Sequence, residues 1–196
     1  MTATAATLEP FIGVDELRAA LADAELDVAQ AAWLCEWGSA AVRAEVGQTI
    51  NVVEGDTVTV DGTGSWLVLL PEIEVRDVTA VAVHGADLDE SGFEWNAAGC
   101  LWRLGGARGL LSGRARWPSR PRSIQVTYDH GWAPPSPQWD AARHVALDVA
   151  TRTFRNPEML QSERIGDYSR AWVPTGGRAQ LTEIEKRALD LLRRGV

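Results

Sequence analysis

The apolar positions of this chain change their period twice. Up to residue 48 they recur three and four residues apart, from 49 to 132 they alternate or run in short blocks, and after 133 helical spacing returns. VDELRAALAD (14–23) has Leu17 and Leu21 four apart, which predicts a short amphipathic helix. Asp27 is placed to cap a longer one, DVAQAAWLCEWGSAAVRAEVG. In it Val28, Ala31, Leu34 or Cys35, Ala41 and Val42 keep to one face, and Gly47 supplies the stop.

The middle of the chain reads as strands. TVTV (57–60), WLVLL (66–70) and VTAVAV (78–83) are separated by the turn-forming DGTGS and PEIEV. HGAD (84–87) predicts a hairpin connection, and FEW (93–95) and CLWRL (100–104) flank the tight turn NAAG. A long loop, GGARGLLSGRARWPSRP, precedes a last strand, SIQVTY (123–128), and a connection of that length calls for a reason. Ser136 and Pro137 then fit the N-cap and first position of a helix with Trp139, Ala142, Ala146, Val149 and Thr153 on one face, closed at Asn156 before Pro157. QSERIGDYSRAWVPTGGRAQ carries few regular signals. In LTEIEKRALDLLRRGV, Thr182 and Glu185 form a capping box. There Leu181, Ile184, Ala188, Leu191 and Leu192 read as one apolar stripe, with Arg193 and Arg194 at the favourable end of the dipole. The whole predicts an α+β fold: helical parts at 1–48 and 133–196 packed as one core, with an antiparallel β region at 49–132 inserted.

Composition refines this picture. At 45% apolar residues the chain can bury a real core, and it has no apolar run long enough to span a membrane. MTATAATLEP has neither the basic start nor the apolar stretch of a secretion signal and reads as a loose arm. Cys35 and Cys100 fit no metal or redox spacing and read as reduced residues of a cytosolic product. The net charge of −8 is uneven: residues 1–100 hold 18 acids and three arginines, residues 101–196 hold 9 acids and 16 bases. Either the halves neutralise each other inside one molecule, or copies stack head to tail. Nine tryptophans and many arginines are the side chains enriched where proteins meet.

Candidate chemistry is sparse. Asp129 and His130, at the end of VTYDHGW, look like the corner of an active site, and a small hydrolase or ligand-binding β domain would use them. Adjacent strand residues face opposite ways, however, and no serine sits in a nucleophile-elbow setting. The pair therefore reads as strand-exit geometry, with the imidazole bonded to nearby backbone. His84 and His144 stand alone, no zinc spacing occurs, and LGGARGLLSG lacks the ending of a phosphate loop. No cofactor is expected. Arg108, Arg114, Arg116 and Arg120, with Trp117 among them, form a cationic loop suited to an acidic neighbour or to passing nucleic acid, while the acidic pI of about 4.9 argues against tight DNA binding.

Several stretches in their order carry a likeness: VRAEVGQTI then VVEGDTVTVDGTG; LLPEIEVRDVTAVAVHGADL; FEWNAAGCLWRL leading to Trp117 and Pro118; IQVTYDHGW; and ERIGDYSRAW before the closing LTEIEKRALDLLRR. Together they resemble the head–tail connector (neck adaptor) proteins of long-tailed bacteriophages, especially those of actinobacteria. The resemblance implies a non-enzymatic virion part, made in the host cytoplasm and located in the neck. It implies a ring, usually of twelve copies, beneath the portal protein, with tail-completion or stopper proteins docked below and genomic DNA passing through. A stopper or a tail terminator is the alternative neck role. The family's C-terminal region grips the portal or a neighbouring subunit, which makes Leu181, Ile184, Leu191, Leu192, Arg193 and Arg194 the candidate contacts here. The Arg108–Arg120 loop becomes a candidate for inter-subunit or channel contact.

Overall fold

The structure, a computed structural model, describes residues 8–105, 113–156, 162–165, 168–171 and 181–193. In chain order its elements are helices α1 (Val14–Leu21) and α2 (Val28–Val46), and strands β1 (Val53–Val60), β2 (Leu67–Leu69), β3 (Val75–Val83), β4 (Ala86–Asp87), β5 (Phe93–Trp95), β6 (Cys100–Arg103) and β7 (Ile124–His130). Helix α3 (Pro137–Arg155), strands β8 (Ser162–Ile165) and β9 (Tyr168–Ala171), and helix α4 (Glu183–Leu189) follow, the last running on as a 3₁₀ turn over Asp190–Leu192. The class is α+β. Two compact units emerge, one of Met1–Ile50 with Pro134–Arg193, the other built on Asn51–Ala133.

The helical unit starts and stops where side chains can satisfy the free backbone groups of helix ends. Asp27 accepts from the Gln30 amide and Ser136 from that of Trp139, while Gly47 closes α2 in the left-handed conformation. At α4 both halves of the capping box form: the Glu185 amide reaches Thr182 Oγ1, and the Thr182 amide reaches the Glu185 carboxylate. Helices α2 and α3 cross through small residues. A Cβ on Gly38 would stand 2.4 Å from the Ala146 carbonyl oxygen, so the backbones touch there and only glycine fits. Ala31, Leu34, Cys35, Ala150, Leu17, Leu26 and Ile12 form the buried cluster around that crossing. Val28 departs from the expected stripe. It is 59% exposed, because the first turn of α2 leads the helix onto α3 only from Ala31 onward. The stretch 161–180, poor in sequence signals, contains the β8–β9 hairpin, with Ser162 opposite Ala171 and Ile165 opposite Tyr168.

The β unit holds two antiparallel sheets, ordered β1-β7-β3-β4 and β2-β6-β5, whose inner residues share one core. His84 and Gly85, both at positive φ, make the β3–β4 turn. In β3 the buried residues are Val75, Val78 and Val81, spaced by three where a regular strand spaces them by two. Register explains it. Val75, Val78 and Val81 lie opposite His130, Tyr128 and Val126, so β3 spends three residues for every two of β7 through two bulges. Another bulge in β1, between Val53 and Asp56, places Gly55 at φ 66°.

Candidate interaction surfaces

Asp129 and His130 lie within β7 on opposite faces of its sheet, and each contacts a residue of β1. Asp129 Oδ1 accepts from the Gly55 amide at 2.7 Å, a donor that the β1 bulge frees from the ladder. His130 is 1% exposed, stacked on Tyr128 with ring centroids 4.9 Å apart, and its Nε2 lies 3.3 Å from Asp56 Oδ2. The imidazole therefore pairs with a carboxylate, where the sequence suggested backbone. Neither group lines the 640 Å³ pocket of the β unit, and the described residues cover the His130 ring almost completely. Asp129 and His130 form a strand-to-strand clamp. They do not assemble a catalytic corner.

This pocket, about 640 Å³, is lined by the carboxylates of Asp77, Glu90 and Glu94 and by Trp95 and Trp102. Its one hydroxyl, on Thr79, donates to the Thr127 carbonyl at 3.1 Å and is thereby committed. Among the described residues no cluster of three or more His, Cys, Asp or Glu side chains could hold a metal. Among them, too, no helix is long and apolar enough to cross a membrane.

The described part of the cationic loop, from 113 onward, is folded onto its own unit. Trp117 is 1% exposed, and its Nε1 donates to the Leu101 carbonyl at 3.3 Å, so it belongs to the core and offers no contact outside. Arg114 stacks on Trp66 at 4.1 Å, and Arg116 Nη1 donates to the Gly64 carbonyl at 3.0 Å. Both arginines brace the segment that leads into β2. Arg120 is exposed and serves the fold through its carbonyl, which accepts from Gly62 and from Ser123. Arg108 lies outside the described residues.

Helix α4 corrects the single stripe expected of it, because it has two apolar faces. Inward it buries Leu181, Leu189 and Leu192 together with Glu185, whose carboxylate meets Arg152 at 2.8 Å beside its cap. Leu181 and Leu192 are thus core residues of this chain and present nothing to a partner. Outward, Ile184 is 81% and Leu191 70% exposed, with Ala188 between them. At the C-terminal end Arg193 reaches back to the Glu45 carboxylate and to its carbonyl at 3.1 Å, so it too serves the fold, while Arg194 lies outside the described residues. On the outer face Lys186 pairs with Glu183 at 3.0 Å, holding that carboxyl below its usual range and raising its own ammonium. Arg187 is left as an exposed cation beside Ile184 and Leu191.

Sequence reasoning missed the outer face of α2. Trp33 stacks on Trp37 with centroids 5.7 Å apart and planes 19° from parallel, and Trp33 is 50% exposed. Ala29, Ala40 and Ala44 continue this face, and Glu36 is its acid. The signal was present: α2 has apolar residues all round, which a helix needs only when both sides meet protein.

No protein-family model and no curated protein matches the sequence. Solved structures do match in fold. One is a chain from "Neck of native GTA particle computed with C12 symmetry", at TM-score 0.56 and 17% identity over 100% of this chain and 97% of that one. Another, from "Neck of empty GTA particle computed with C6 symmetry", has TM-score 0.53 and 17% identity over the same shares. A third, from "Virion of native gene transfer agent (GTA) particle", has TM-score 0.55 and 15% identity over 97% and 94%. At such identities the likeness establishes the fold, end to end.

Proposed function

We propose that this chain is a structural component of the neck of a phage-like particle. In this reading it is a head-to-tail connector that forms a ring between the portal protein and the tail and surrounds the DNA channel. The observation that carries this reading is the end-to-end fold likeness to chains of a particle neck, in assemblies computed with twelve-fold and six-fold symmetry. Two features of the chain support it. The helical unit leaves large apolar residues outside on α2 and α4, which an isolated protein has no use for. The residues that looked catalytic are spent on joining strands.

The ring has twelve copies, matching the portal, with tail-completion or stopper proteins on its other side. The chain is net acidic, so duplex DNA slides through without sticking. The outer face of α4 engages another chain of the assembly, through Ile184 and Leu191. The test is native mass spectrometry of the chain alone and mixed with the portal protein encoded beside its gene. A discrete ring of copies on the portal is expected. A chain that stays monomeric and ignores the portal at every concentration overturns the connector role and turns the search to the tail side.

A further inference from the structure

Two helix faces of the helical unit carry matching patterns. On α2, Trp33, Glu36, Trp37 and Ala40 occupy positions i, i+3, i+4 and i+7 of the outer face. On α4 and its 3₁₀ extension, Ile184, Arg187, Ala188 and Leu191 occupy the same four positions. Each face has a bulky apolar residue first, one charge at the second place, and apolar residues at the rest. The charges are opposite. The sizes are complementary too: α2 places its small residue at i+7, where α4 has Leu191, and α4 places its small residue at i+4, where α2 has Trp37. Neither face is covered by the described residues, since Trp33 is 50%, Ile184 81% and Leu191 70% exposed.

We infer that the α2 face of one copy receives the α4 face of the next. Resting on the connector reading, this assigns the subunit-to-subunit contact of the ring. The two faces are different surfaces of one chain, so the contact can pass head to tail from copy to copy, as a closed ring requires. Pairing either face with itself would set Glu36 against Glu36 or Arg187 against Arg187. In either running direction of the two helices, Arg187 comes to the Glu36 and Trp37 side of α2. There its guanidinium meets a carboxylate and an aromatic face together. Trp33 and Trp37, already stacked and stiff, lose little freedom on docking.

The test uses the full chain, alone at high concentration and on the portal protein. In a Cys100→Ser background, Trp33→Cys is combined with Ile184→Cys or with Leu191→Cys, and copies are joined with a short bismaleimide. At least one pair should give a ladder of covalent multimers ending at the ring size. A Leu69→Cys and Ile184→Cys pair, whose first site lies on β2, should stay monomeric. Glu36→Arg alone should reduce ring formation at least tenfold, and Glu36→Arg with Arg187→Glu should restore it, all with unchanged melting temperature. Rings that form on the portal without either crosslink, or a charge swap that rescues nothing, overturn this contact and leave the connector reading standing. If no ring forms with or without the portal, both readings fall together.

Discussion

Asp129 and His130 show how neighbours in sequence can hold different jobs. Asp129 accepts a backbone donor at the exposed edge of the β1 bulge, and a hydrogen bond with water at hand contributes about 0.5–1.5 kcal/mol. His130 fills space in the core beside Tyr128. His130→Ala should therefore lower unfolding free energy in urea by about 2–4 kcal/mol, as large-to-small core changes do, and Asp129→Ala by about 1 kcal/mol or less. A His130→Ala variant as stable as the parent would show that the ring is not a core element. Cys35 offers a second test. Burial, with the Glu16 and Glu36 charges, raises its thiol pKa, so the fold prefers the neutral form. That preference is fully present below the unfolded thiol value near 8.5 and is lost as pH rises through it toward the folded value. Stability should fall in that alkaline window, and Cys35→Ala should flatten the fall. Iodoacetamide at neutral pH should reach half-buried Cys100 well before Cys35. Caps such as Asp27, Ser136 and Thr182 were legible in the sequence because their partners lie three residues away. The His130 partner, Asp56, lies 74 residues away, beyond any local pattern.

At the scale of elements, periodicity was informative wherever only one face of an element was apolar and misleading where both were or where a bulge changed the spacing. Strand β3 keeps Val75, Val78 and Val81 inward by bulging, so its spacing of three imitates a helix while its partners in β7 keep a spacing of two. Helix α4 reads as one broad stripe because two apolar faces, Leu181, Leu189 and Leu192 inside and Ile184 and Leu191 outside, overlap in projection. The Trp33 and Trp37 face of α2 was hidden for the same reason. Glu185 ties α4 to the helical unit twice, as half of the capping box and as the partner of half-buried Arg152. Thr182→Ala should cost about 1 kcal/mol, the usual loss for a removed cap. Glu185→Ala should cost about 3 kcal/mol, because it also leaves a guanidinium short of its carboxylate in a sheltered place. Thermal melts of the two variants check the order. Equal shifts would mean that the ion pair adds nothing to the cap.

On the scale of the whole molecule, the question is which charges and apolar surfaces the chain uses on itself and which remain. The uneven charge is partly settled internally: Glu16 pairs with Arg143 at 2.8 Å and Glu45 with Arg193, each joining an acid of the first hundred residues to a base of the rest. Arg114 and Arg116 are likewise taken up by Trp66 and Gly64. Changing both to Glu should therefore lower the melting temperature of the β unit, and an unchanged melt would return them to the list of free contacts. Among the exposed apolar residues are those of the paired pattern on α2 and α4. Stability and assembly should consequently separate within a single helix. Leu189→Ala, inside, should destabilise the helical unit by about 2–5 kcal/mol. Deleting 182–196 should do so more severely, because it strips Leu189, Leu192 and the Glu185 pair from the core. Ile184→Asp and Leu191→Asp, outside, should stay within about 0.5 kcal/mol of the parent yet fail to join the ring. Melting and native mass spectrometry on the same four variants decide it. Outer variants that unfold, or that melt normally and assemble normally, would mean that α4 has only one working face.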